Sequence, residues 1–514
     1  MPVMEKLKAG KAYHHATGYN RYRMQGHFLD WKNQPLVYKT YPDSGAVPLP
    51  DVPPARKTPL GVLFTRNRQP RPDDKIDITQ LSRILMQSYI HTAKSRQAGQ
   101  EFYYRSAASA GALYPCELYL AAPDVGDLEN GIYHYQLRNR KLVPLRSGNF
   151  TNFTGAVCSA TGSISFCFYI TGIFFRSAWK YRKRAFRYVL LDAGHLLENL
   201  LLALRSVGLV FSVHYDFTDR DLECLLGIDG KREGILACVT VHGNPHGADN
   251  DTGNIAPLSK KIIDASRVSD GEVCYGEIET FYRATASLPD RSRESARLNE
   301  SFAKLVDRWM DIESGNPGED DISYPDALFL RRSKRNYVDS PLSRDQFMQL
   351  MDLVCAAASR DPSPGHRYAS AVVNGFVCGN VEGITPGFYL LDPARRKFGR
   401  VFRGDLISKM ASACLDQEWL RSAAVHFLFL TNLAEIDRAW GPRSYRYAML
   451  AAGRTGQAIY LGATAQGLGA CGIGALYDAE IREILGLTEE AALLYLMAVG
   501  PVKKRDVLIP PKAG

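Results

Sequence analysis

RAFRYVLLDAGHLLENLLLALRSVGL, residues 184–209, and RSYRYAMLAAGRTGQAIYLGATAQGL, residues 443–468, lie over one another at a constant offset. Arg187 falls on Arg446, Gly194 on Gly453, Gly208 on Gly467 and Gly227 on Gly486, each pair 259 residues apart. Both stretches run on through an acidic helix ending in LLG or ILG and into an apolar strand, LACVTVHG or LYLMAVG. A fixed long-range period of this kind marks a duplicated domain. The two long segments are apolar on more than one face, which suits burial between the copies in a two-fold arrangement.

The repeat extends outward. GIYHYQLRNRKLVPL from Gly131 and GFYLLDPARRKFGRV from Gly387 each read as strand, polar turn, strand. Helix starts with a capping box stand near the front of each copy, Asp77 with Gln80 and Ser343 with Gln346. The expected layout is an N-terminal extension at 1–60, a first domain at 61–247, a connector at 248–325 with a helix near SFAKLVDRWMDI, and a second domain at 326–514. The fold class is α+β, with a sheet flanked by helices in each copy.

The 514 residues fit two cores better than one. With 46% hydrophobic and 23% charged residues the chain reads as globular, and its net charge of +9 is scattered in short clusters, which suits anionic ligands better than nucleic acid. The ten cysteines form no CxxC pair and no metal-ligand spacing, so they read as core residues of a reducing compartment. No apolar run is long enough for a membrane helix and the start lacks an apolar signal core, so the expected location is the cytoplasm, with no metal.

The copies differ in a complementary way. The second carries FLRRSKRNYVDSPLS, with Arg331, Arg332, Ser333 and Arg335 ahead of a helix, where the first has LFTRNRQPRPDDK, broken by prolines. The first carries SAASAGALYP, with Ser109, Ala110 and Gly111, where the second has YASAVVNGFVCG. The second again carries GLGACGIG, with Gly469, Ala470, Cys471, Gly472 and Gly474, against GLVFSVHY. Each copy has kept what the other lost, which points to one composite site per chain. Arginine forks and a serine hydroxyl suit a phosphate, and small residues leave backbone open to a flat ring, so the pieces describe a mononucleotide site such as one for FMN.

Taken together, SAGALYP at Ser109, WKYRKRAFRYVLLDAGH at Trp179, ACLDQEWLRSAAV at Ala413, the glycine-rich stretch from Tyr445, and the leader YHHATGYNRY with LDWKNQP resemble the nitroreductase superfamily. The resemblance is nearest to its SagB-type (ThcOx-like) dehydrogenase branch in tandem form and covers most of the chain. It implies two fused domains with mixed sheets, one FMN per chain between them, and phosphate contacts from Lys504 and Arg505. It also implies catalytic Lys180 and Tyr181, a pair that reads Ala439-Trp440 in the second copy. Ala108 stands where the family often has proline.

The branch oxidises azolines to azoles in peptides, so the implied substrate is a peptide or peptide-derived molecule, with other biosynthetic enzymes as candidate partners. An ammonium beside Tyr181 is expected to favour the phenolate a base would need. Two alternatives remain at this point: an NAD(P)H-dependent reductase of nitro compounds, quinones or flavin, and a flavin-free peptide-binding protein. His195, on the long helix, reads as a satisfied interface residue and not as a catalyst.

Overall fold

The computed structural model describes residues 9–24, 26–41, 45–52, 58–65, 76–97, 100–123, 125, 128–243, 255–286, 288, 298–313, 322–359 and 365–503. Its strands fall into two seven-stranded sheets and one hairpin. The first sheet comprises β1 (Val47–Pro48), β4 (Cys116–Ala122), β5 (Gly131–Gln136), β6 (Lys141–Ser147), β7 (Ile164–Ile173), β8 (Phe211–His214) and β9 (Glu233–His242), in the order β1-β6-β5-β4-β7-β9-β8. The second comprises β10 (Arg308–Asp311), β11 (Val373–Cys378), β12 (Gly387–Asp392), β13 (Lys397–Arg403), β14 (Val425–Asn432), β15 (Gly469–Ile473) and β16 (Ala491–Gly500), in the order β10-β13-β12-β11-β14-β16-β15. Position by position the two orders are the same. The hairpin β2 (His91–Gln97) and β3 (Gln100–Arg105) has no counterpart in the second copy among the described residues.

The ladders within both sheets are antiparallel. The mixed pairing expected is therefore not what forms: among the described residues parallel pairing is confined to isolated bridges, Ser333 with Ala470 among them. The central strands β7 and β16 are buried along their whole length, as continuous runs of β-branched, aromatic and aliphatic residues covered on both faces should be. Both N-caps form, with Gln80 N donating to Asp77 Oδ1 at 2.7 Å and Gln346 N to Ser343 Oγ at 3.3 Å.

The two decisive stretches form 22-residue helices, Ala185–Ser206 and Ser444–Ala465, packed against each other between the sheets. They cross at the paired glycines. A Cβ on Gly194 would stand 2.9 Å from the Gly453 Cα, and one on Gly453 3.0 Å from the Gly194 Cα, so only glycine lets the backbones approach this closely. Their leucines and alanines are buried, each large side chain contributing about 1.5–3 kcal/mol.

The copies also grip each other reciprocally. Arg184 and Arg187 of the first long helix reach Asp478 at 2.8 and 2.7 Å, and their counterparts Arg443 and Arg446 reach Asp219 at 2.7 and 2.8 Å. Both aspartates open a short helix, where the positive helix end favours them. Arg184 and Arg187 further hold the last turn of the helix Ala9–Ala16 through the Thr17 carbonyl and hydroxyl at 2.9 and 3.0 Å. Arg443 and Arg446 hold the end of the helix Gly276–Thr285 in the same way, through the Thr285 carbonyl and hydroxyl at 3.1 and 2.7 Å.

The segments that flank the two domains also contribute elements to them. The supposed extension supplies the helix Ala9–Ala16 and edge strand β1, and the supposed connector supplies the matching helix Gly276–Thr285 and edge strand β10. The residues expected to carry a helix at SFAKLVDRWMDI divide instead into a short helix, Leu298–Ala303, and β10. Polar composition read as linker because these pieces lie on the outside of each sheet, where one face meets water. Removing one carboxylate of the grip strands two buried guanidinium groups, so Asp219→Ala is expected to cost about 3 kcal/mol in chemical denaturation. A change inside 0.5 kcal/mol would show the grip to be ornamental.

Candidate active site

The loop Ser109–Ala112 joins the hairpin to β4 and is held in an uncommon backbone path. Gly111 has φ 64°, and Ala112 and Tyr114 lie at φ 54° and 48°, a region that costs non-glycine residues about 1 kcal/mol or more each. Asp192 of the first long helix fixes this path, its Oδ2 accepting from the Ser109 hydroxyl at 2.5 Å and its Oδ1 from Ala110 N at 3.1 Å. The Ser109 hydroxyl in turn accepts from Tyr114 N at 2.9 Å. Burial pushes the Asp192 carboxyl up to about 7, against the pull of these two hydrogen bonds.

Lys180 and Tyr181, at the end of the helix Phe174–Tyr181, close on this loop. A Cβ on Gly111 would stand 2.8 Å from the Tyr181 hydroxyl and 3.3 Å from Lys180 Nζ, so the glycine is what leaves room for both. The Lys180 ammonium sits 5.6 Å from the Tyr181 ring centroid. Burial first, then the charges of Asp192 and Tyr19, raise the Tyr181 phenol above its ordinary value, and Arg335 only partly opposes them. The phenolate expected from the sequence is therefore disfavoured, and Tyr181 stands as a protonated donor.

From the second copy, Arg331, Arg332, Ser333 and Arg335 meet the loop from the other side. Arg331 is buried, donating to the carbonyls of Ser106 and Arg105 at 2.9 and 3.0 Å. Arg332 donates to the Thr92 carbonyl and hydroxyl at 2.8 and 3.1 Å. These two thus also tie the copies together, a role the sequence did not disclose. Ser333 hydrogen-bonds the Tyr460 hydroxyl at 2.8 Å, which also accepts Gly472 N at 2.8 Å, so one tyrosine joins the arginine segment to the glycine segment.

Gly469 to Gly474 lie along β15 and just beyond it. A Cβ on Gly472 would overlap the Tyr495 hydroxyl, and one on Gly474 would stand 2.7 Å from the Tyr188 ring of the first copy. Ala470 pairs with Ser333, and Cys471, its thiol raised by burial, adjoins Arg335. Lys504 and Arg505 lie outside the described residues. His195 is buried between Gln457 and Tyr495, at 2.9 and 3.1 Å, and burial lowers it to about 3, which leaves it a neutral link between the copies.

Do these residues fit a mononucleotide? Among the described residues Arg331, Arg332, Lys334 and Arg335 have no carboxylate within ion-pair distance, although Arg331 is buried and Arg332 and Lys334 are half-buried. The Tyr188 hydroxyl, beside Gly474 and 4.2 Å ring to ring from Tyr181, is buried without a partner. A cation cluster lacking its anion, facing an open glycine wall, is the donor set a phosphate-bearing flat ring needs.

The equivalent place in the other orientation is filled by side chains. Tyr215 stands where Gly474 stands, Trp440 where Tyr181 stands, and Ala451 where Asp192 stands. There Tyr368 stacks on Tyr447 at 3.9 Å, Trp440 adjoins both rings, and both tyrosine hydroxyls bond the buried Asp216. The sequence missed Asp192, Tyr188, Tyr460 and Tyr495 as site residues. The contrast of Asp192 with Ala451 at the 259-residue offset was the signal that could have found the first.

A family model described as the nitroreductase family matches residues 71–244 and again 329–501. A crystal structure of a nitroreductase from Anabaena variabilis superposes with a TM-score of 0.77 and 25% identity, covering 96% of this chain and 99% of that one. A Methanocaldococcus jannaschii protein named as a nitroreductase is 32% identical over 190 residues, 36% of this chain and 93% of its own length. The trifolitoxin-processing protein TfxB of Rhizobium leguminosarum bv. trifolii is 28% identical over 190 residues, 35% of this chain and 51% of its own, so the match spans about half of that relative.

Proposed function

The chain belongs to the nitroreductase family, and on that premise we propose that it is an FMN-dependent dehydrogenase or oxidase acting on a peptide or peptide-derived substrate. The observation that carries this reading is the meeting of Lys180 and Tyr181 with the Ser109–Gly111 loop, at a cation cluster from the other copy. Arg331, Arg332 and Arg335, with the Ser333 hydroxyl, would hold the phosphate, and the bare backbone of Ser109–Gly111 and Gly469–Gly474 would border the ring. When bound, FMN supplies a two-electron acceptor. Lys180, once its ammonium has released a proton to solvent, is the group at hand to take an acidic C–H proton from the substrate, and Tyr181, kept as a phenol by burial, donates a hydrogen bond that orients it. The likeness to a trifolitoxin-processing protein favours a toxin-precursor peptide over a free small molecule.

The likeness to a named nitroreductase favours a second reading, reduction of nitro compounds, quinones or flavin by NAD(P)H. Rapid bleaching of the bound flavin by NAD(P)H, with no response to peptide, would select it.

The test is flavin content. One FMN released per chain is the expected result, because the second cleft is filled by Tyr215, Tyr368, Trp440 and Tyr447. Two per chain would mean those rings move aside. None after incubation with excess FMN would leave a flavin-free, peptide-binding protein as the reading.

A further inference from the structure

A cavity of about 270 Å3 lies in the first copy, with Tyr38, Lys39, Arg105, Glu117, His134 and Arg138 in its wall. Most of its charges cancel. Lys39 pairs with Glu233 at 2.6 Å, and Glu117 receives Arg176 at 2.6 Å and His134 Nε2 at 2.9 Å. Arg105 does not fit this pattern. It is 2% exposed, yet among the described residues no carboxylate lies within ion-pair distance of it. Its donors reach only the Tyr89 hydroxyl and the Val37 carbonyl, both at 2.5 Å, and its guanidinium is enclosed by the rings of Tyr38, Tyr89 and Tyr114 at 5.1, 5.2 and 4.6 Å.

Arg105 feels the charge of Glu117 across the cavity wall but pairs with no carboxylate, and a cavity beside a buried cation of this kind is where an anion belongs. A second guanidinium, the exposed Arg138, stands 5.6 Å from the same Tyr38 ring and likewise has no carboxylate partner among the described residues. His134 Nδ1 is buried and unpartnered. The other copy retains none of this: by ladder register Val373 of β11 replaces Glu117 and Leu390 of β12 replaces His134, so the cluster is not a requirement of the sheet.

We propose that this cavity is a second ligand site, for a compact anion such as a carboxylate or phosphate, bound between Arg105 and Arg138. The site communicates with the cleft through Arg105 itself, whose carbonyl accepts Arg331 Nη2 at 3.0 Å and whose N–H donates to the Tyr114 hydroxyl at 3.2 Å. The anion is either a free small molecule or the terminal carboxylate of a peptide.

The experiment uses the full chain saturated with FMN, followed by calorimetric titration and thermal melting. Succinate, inorganic phosphate, and one short peptide as free acid and as C-terminal amide are compared with sodium chloride at equal ionic strength. Binding of succinate or phosphate, about 10-fold weaker in Arg138→Gln, supports a free anion. Binding of the peptide acid alone, lost in the amide and in Arg138→Gln, supports a peptide terminus. A response no larger than that to chloride, or one unchanged in both Arg138→Gln and Arg105→Lys, overturns the proposal. Arg138 is exposed and holds no other element, so its variant remains informative even where Arg105→Lys fails to fold.

Discussion

Replacing Arg331 and Arg332 together by alanine gives a colourless protein. Each guanidinium bond to a phosphate contributes about 1.5–3 kcal/mol, so losing both lowers FMN affinity by about 10²–10⁴-fold, enough to strip the flavin during purification. The structure adds a complication. Arg331 and Arg332 also hold the carbonyls of Arg105, Ser106 and Thr92, so the double variant loosens the hairpin β2–β3 as well as the cation cluster. Arg335→Ala separates the two effects, because Arg335 lies over Trp419 beside Cys471 and holds no part of the first copy by a backbone hydrogen bond. FMN fluorescence titration of both variants, with melting curves of the flavin-free proteins, makes the comparison. Stoichiometric yellow colour in a folded Arg331/Arg332 variant would remove the phosphate from these residues.

Lys180→Ala has the opposite signature. The protein stays yellow, and turnover of the peptide substrate falls by about 10²–10⁴-fold, the range expected when a positioned proton acceptor is removed. The Lys180 carbonyl accepts from His27 Nε2 at 3.0 Å, and this contact survives the substitution. Truncation therefore leaves the loop and the cleft in place, and an unchanged flavin spectrum checks that it did. Tyr181→Phe should cost less, since a phenol that is already protonated gives up a hydrogen bond and not a base. Full activity in Lys180→Ala would end its part in the mechanism.

The duplication was legible in the sequence because glycines at a helix crossing cannot be replaced: Gly194 and Gly453 held the 259-residue register in place. The site was legible to the extent that the copies differ, since Gly474 against Tyr215 and Asp192 against Ala451 are contrasts visible in letters alone. What stayed hidden were roles that need a partner from afar. Arg331 looks like a phosphate ligand in isolation, and only the fold reveals that two of its donors meet carbonyls 225 and 226 residues away. Helix Ala9–Ala16 and helix Gly276–Thr285 share only a short ending, Tyr13 and Phe281 each followed three residues on by Ala-Thr, too brief to stand out until the fold shows both threonines offering oxygens to an arginine pair. Tyr181 misled for a related reason: its neighbour in the chain is a lysine, but burial and the charges of Asp192 and Tyr19, both distant in sequence, hold the proton on.

The reciprocal grip has a consequence for how this chain comes into being. The partners of Arg184 and Arg187 on one side, and of Asp219 on the other, are made only when synthesis has passed residue 443 and then residue 478. Until then the face of the first long helix that meets its twin in the finished protein has nothing to lie against. A ribosome carrying two thirds of this polypeptide therefore holds an open apolar face in the cell for many seconds, at elongation rates of about 5–20 residues per second. Contacts between residues so far apart in sequence also close slowly. Its yield in any host is set less by the stability of the finished molecule than by what shields that helix while its twin is still being translated.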